Sequence, residues 1–155
     1  MSLHHFTSSI VLLALLAANG FANDWPQFRG PQGNATIDSA DTPTQWSDTQ
    51  NLVWKSKLPG RGASSPVVWG DRIFLTSFTG YGDSLKEPGD KSKLKLHTLC
   101  LDRRSGDLLW DRSITASDKT QDWSNRVADH GYATGTPATD GEAVYAYFGV
   151  SGVVA

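Results

Sequence analysis

Leu101-Asp102-Arg103-Arg104-Ser105-Gly106-Asp107-Leu108-Leu109-Trp110 is the stretch whose reading decides the fold. An apolar run reaches Asp102, a polar turn tips at Gly106, and a second run ends on Trp110. An Asp heading such a turn caps it by accepting hydrogen bonds from the backbone just beyond. The turn itself needs a residue without Cβ, which Gly106 supplies. Short flanking runs rich in Leu and ending in an indole read as antiparallel strands. The expectation is an all-β protein.

Working outward, the chain repeats itself. Ala63-Ser64-Ser65-Pro66-Val67-Val68-Trp69-Gly70-Asp71-Arg72-Ile73-Phe74 aligns with Thr134-Gly135-Thr136-Pro137-Ala138-Thr139-Asp140-Gly141-Glu142-Ala143-Val144-Tyr145 at a constant offset of 71. Pro66 meets Pro137, Gly70 meets Gly141, and Phe74 meets Tyr145. Each copy reads as a short strand, a tight turn with Gly where positive φ is needed, and a second strand. A proline at the start of each strand is tolerated because that position need not donate to the ladder.

These residues resemble the pyrroloquinoline-quinone (PQQ)-like β-propellers of secreted bacterial type, whose repeat reads Leu-Asp-x-x-Thr/Ser-Gly-x-x-x-Trp. Three further segments carry the likeness. Asp24-Trp25-Pro26-Gln27-Phe28-Arg29-Gly30-Pro31 is similar to their mature N-terminus. Pro59-Gly60-Arg61-Gly62-Ala63-Ser64-Ser65-Pro66-Val67-Val68 and His130-Gly131-Tyr132-Ala133-Thr134-Gly135-Thr136-Pro137 are similar to the beginnings of their innermost strands. The resemblance spans residue 24 to the end.

It implies a partial β-propeller: about one and a half four-stranded antiparallel blades plus an N-terminal closing strand. The first blade is expected to have strands at 65–69, 72–78, 94–101 and 107–113. The second starts at Thr134, has two strands ending near Phe148-Gly149, and opens a third at 152–155. A polar loop covers 79–93, and a longer one covers 114–129. The segment 51–57 ends like the fourth strand, with Trp54 standing where Trp110 stands later, and is expected to be the closing strand. A blade takes about 40–50 residues and a ring about four to eight blades. The chain is therefore expected to be the N-terminal fragment of a longer propeller. The alternative is a small complete β-sandwich.

The N-terminus carries a nine-residue apolar run, Ile10 to Ala18, followed by Gly20-Phe21-Ala22. The run is too short for a bilayer span and reads as a secretory signal cleaved after Ala22. An uncleaved anchor or a disordered tail is the other reading. The expected organisation is a signal peptide at 1–22, an N-terminal extended segment at 23–50, and the incomplete repeat domain at 51–155. The mature chain is expected in the periplasm or outside the cell, with no membrane span after signal removal. A net charge of −2 favours neither nucleic acid nor an anionic membrane.

Trp54, Asp102, Gly106 and Trp110 are read as the structural repeat motif, each indole packing across to a neighbouring blade with its N–H on a carbonyl. Arg61 and Tyr132 occupy equivalent positions just before the two innermost strands, and His130 lies beside Tyr132. Innermost strands line a propeller's channel. These three are the candidate ligand-binding residues at the channel mouth, where an Arg fork and a phenol suit an anionic or sugar-like ligand. The alternative gives Arg61 a surface carboxylate and His130 a loop position. His97 and Cys100 on the third strand read as packing residues.

The resembled family contains PQQ-dependent alcohol and sugar dehydrogenases as well as protein-binding scaffolds. The dehydrogenases commonly use adjacent cysteines in a vicinal disulfide and a Ca²⁺ held by Glu, Asn and Asp. A single cysteine cannot form that disulfide. No catalytic residue, metal ligand or cofactor is assigned on the sequence. The expected function is a scaffold for an unknown protein or glycan partner. The alternative is the remnant of a PQQ- and Ca²⁺-dependent dehydrogenase.

Overall fold

The computed structural model describes residues 24–37, 42–82, 84 and 86–155. The signal-peptide reading of 1–22 lies outside the described residues. The described chain is mostly β, in two antiparallel sheets, neither closed on itself. The first is a meander of β1 (Val67–Trp69), β2 (Arg72–Thr79), β3 (Lys95–Asp102) and β4 (Leu108–Thr115), neighbours in that order. The second is β5 (Ala138–Thr139), β6 (Val144–Tyr147) and β7 (Val153–Val154). Between them lies one short helix, α1 (Asn125–His130). Among the described residues, no helix is long and apolar enough to cross a membrane.

Four strands fall within about two residues of the positions read from sequence. Gly70 and Gly141 adopt φ of 56° and 92° in the two hairpin turns. The Asp102 turn forms as its chemistry requires. The Asp102 carboxylate accepts from the backbone N–H of Arg104 at 2.8 Å and of Ser105 at 2.9 Å. These bonds hold its pKa below the usual carboxylate value. The Gly106 N–H closes the turn on the Asp102 carbonyl at 2.8 Å.

Two expectations are corrected. Residues 114–129 are not one loop: β4 continues to Thr115 and α1 occupies the end. The helix stops at Gly131, whose φ of 73° suits a residue without Cβ and whose N–H caps on Val127. The segment 51–57 is not a strand. A strand exists through ladder hydrogen bonds to a neighbour, and no sheet among the described residues runs beside it. Its Trp54 docks onto the Gly106 turn, whereas the Trp110 indole N–H, expected on a carbonyl, makes no hydrogen bond among the described residues. The Trp54 indole N–H donates to the Arg103 carbonyl at 2.9 Å, and the ring lies over Gly106.

The core lies between the sheets. Phe74, Cys100 and Trp110 are register partners across β2, β3 and β4, so they share one face. Val67 and Val144 join them, and Trp110 meets Phe74 with ring centroids 5.9 Å apart. Further along the same face, Phe78, Leu96 and Ile114 pack with Ala146, Phe148 and Val154 of the second sheet region. Cys100 is fully buried, and desolvation raises its thiol pKa. It is a packing residue, as read from sequence. The outer face of the second sheet exposes Tyr145, Tyr147 and Val153.

The two repeat copies sit side by side. The backbone N–H of Ser65 donates to Thr136 Oγ1 at 3.1 Å, joining residues that are equivalent at the 71-residue offset. Ala63 N–H bonds the Ala133 carbonyl at 2.9 Å, and Thr76 Oγ1 bonds the Gly135 carbonyl at 3.1 Å. The N-terminal segment enters the same region. Trp25 exchanges both backbone hydrogen bonds with Val68, and the Pro26 carbonyl accepts from Thr139. The two residues Trp25 and Pro26 thereby tie the free edge of β1 to β5, satisfying donors that an edge strand would otherwise leave open.

Candidate functional site

The beginnings of β1 and β5 converge on one aromatic cluster. Arg61 is anchored by its backbone, which exchanges hydrogen bonds with Phe78 at 3.1 and 2.7 Å. Its guanidinium carbon lies 5.9 Å from the Trp123 ring centroid, and Nη1 donates to the Gly82 carbonyl at 3.2 Å. Tyr132 comes from the equivalent position of the second copy. Its ring stacks on Tyr81 at 5.9 Å, meets Phe78 edge-on at 5.3 Å, and tilts against Trp123 at 5.8 Å. The Tyr132 hydroxyl donates to the Gln121 carbonyl at 3.0 Å. Desolvation, with smaller contributions from Tyr81 and Asp122, pushes its pKa up to about 12. The phenol therefore stays neutral at physiological pH and acts as a hydrogen-bonding, stacking group.

The surrounding loops are held to this platform. The Tyr81 hydroxyl accepts from the Trp123 backbone N–H at 3.0 Å. Lys91 pairs with Asp122 at 2.8 Å, tying the loop before β3 to the loop after β4. Asp90 caps the turn at Lys91–Lys93 by accepting from Ser92 N–H at 2.9 Å. Phe78 and Tyr81 are buried in the core, so what the arrangement presents to solvent is the exposed Arg61 beside the half-buried Trp123 and Tyr132.

Of the three expected mouth residues, the structure brings Arg61 and Tyr132 together through Trp123. Arg61 reaches the Gly82 carbonyl and the Trp123 indole. His130 ends α1, exposed. It makes no hydrogen bond or ion pair among the described residues, so it does not join the platform. Sequence reading missed Tyr81 and Trp123 because both lie in segments assigned as polar loops. Their signal was an isolated aromatic in an otherwise polar stretch, which marks a loop that packs on itself.

A second polar constellation was also missed. His97 Nε2 lies 2.8 Å from Thr79 Oγ1, and Nδ1 lies 2.8 Å from Asp111 Oδ1. An ionised carboxylate only accepts, so Nδ1 carries a proton. In the neutral ring, Nε2 then accepts from the threonine hydroxyl. His97 is buried and Asp111 is partly open. The chain of bonds links β2, β3 and β4 and reads as a cross-strand fastening. Among the described residues, no group of three or more His, Cys, Asp or Glu side chains is placed to hold a metal ion.

No protein-family model, curated protein or solved structure matches the chain.

Proposed function

We propose that the chain is a PQQ-like β-propeller repeat module of the periplasm or cell exterior that binds a protein or glycan partner and catalyses nothing itself. The observation carrying this reading is the lateral pairing of the two repeat copies at Ser65 and Thr136. Such pairing is what successive blades around an axis require, and it sets Arg61 and Tyr132 on one aromatic platform. Trp54 over the Gly106 turn supports the same reading, since its indole fastens one segment onto the sheet that follows. The partner meets the platform at the ends of the innermost strands, where loops are free to vary.

The test is binding by the purified chain to panels of envelope glycans and to envelope proteins, with Arg61→Gln and Trp123→Phe as variants. The reading expects saturable binding that either substitution weakens by about tenfold, roughly 1.4 kcal/mol, with unchanged circular dichroism. Binding indifferent to both substitutions would overturn the platform. Dye-linked alcohol oxidation on adding PQQ and Ca²⁺ would overturn the non-catalytic reading.

A further inference from the structure

We infer that the wedge between the two sheets is a second binding site, separate from the mouth, for an acidic oligosaccharide carrying uronate carboxylates. A cavity of about 760 Å³ opens there. That size suits a small-molecule or oligosaccharide ligand. Its walls include Trp69, Arg72, Trp110, Arg112, Thr98 and Glu142.

Three observations choose the ligand class. The first is unspent positive charge. Arg72 and Arg112 both face the cavity, and neither guanidinium has a hydrogen bond or ion pair among the described residues. Arg104 is different: it pairs with Asp71 at 3.2 Å. A free guanidinium fork presents paired donors that match a carboxylate. Arg72 lies opposite Asp102 and Arg112 opposite Thr98 in the ladder. Four residues along β3 and two strand spacings across it separate their backbones, about 16 Å in all. One small anion cannot bridge that interval, whereas a chain bearing several carboxylates can.

The second observation is the aromatic lining between these charges. Trp69 is 38% exposed, and the Trp110 indole N–H makes no hydrogen bond. The Trp54 indole, by contrast, has already used its N–H on Arg103. The exposed part of the Trp69 ring can take the C–H face of a sugar ring, and the half-buried Trp110 can donate its N–H to a sugar oxygen. The third is that the lining also includes Glu142 and Asp71, the latter already paired with Arg104. A carboxylate there accepts hydrogen bonds from sugar hydroxyls.

The test is titration of the purified chain with oligogalacturonate, read by calorimetry and tryptophan fluorescence. A neutral cello-oligosaccharide, citrate and poly-glutamate serve as comparators. The inference expects oligogalacturonate to bind and quench fluorescence, and each comparator to bind at least about tenfold more weakly. Arg72→Gln and Arg112→Gln should each weaken binding by about tenfold, and added salt should weaken it further. Both side chains are exposed, so an unaltered melting temperature verifies the fold. Lys55→Gln, in an exposed pair with Asp48 that does not line the wedge, should leave oligogalacturonate affinity unchanged, which separates the two arginines from a general loss of positive charge. No binding, equal binding of citrate or poly-glutamate, or affinity insensitive to both arginine substitutions would each overturn it.

Discussion

Gly106 does two jobs that a side chain would break. Its φ is 76°, in the left-handed region, and a Cβ placed there would lie 2.5 Å from both Ser56 Oγ and the Trp54 ring. Gly70 separates the two effects, because its φ is 56° yet nothing lies within 4 Å of its would-be Cβ. Gly70→Ala is expected to cost about 1 kcal/mol, for left-handed backbone alone. Gly106→Ala is expected to cost about 3 kcal/mol, because the indole must also lift and lose its bond to Arg103. Urea denaturation of the two variants checks the difference; equal losses would mean that Trp54 contributes nothing to stability. The Asp-to-Gly spacing made this turn legible in sequence, whereas the ring lying on the glycine was not, since it comes from 52 residues away.

At the scale of the element, β2, β3 and β4 are held by more than their ladders. The Thr79–His97–Asp111 chain crosses all three strands on one side of the sheet. Asp111→Ala leaves the buried Nδ1–H without its acceptor, an expected loss of about 1 kcal/mol given the partial exposure of the carboxylate. Asp111→Asn keeps an oxygen acceptor and is expected to lose less than half of that. Paired denaturation curves decide; an equal loss in both variants would assign the effect to charge rather than to the hydrogen bond. The strands themselves were legible from apolar content and turn residues. The fastening was not, because His97 sits between Leu96 and Thr98 with nothing nearby in sequence to mark a partner. Likewise α1 was hidden, since a six-residue helix is too short to show a periodic pattern.

Across the whole molecule, the two sheets are unequal. β2 and β3 are eight residues each, paired along their full length, whereas β5 and β7 have two residues each. Local opening should follow that difference. Amides of β3 are expected to exchange with solvent about a hundredfold more slowly than those of β5 to β7, measured by native-state hydrogen exchange. Uniform protection would show instead that the sheets open as one unit. Sequence by itself determined the β class, the turns and the pairing of two repeat copies, because strand composition, turn glycines and a fixed offset are local or periodic properties of the chain. Only the tertiary structure decided which aromatics meet Arg61 and Tyr132, that His130 stays apart, and that Trp25 closes the edge of β1. Those contacts join residues far apart along the chain, and no local preference encodes which distant surfaces will bury one another.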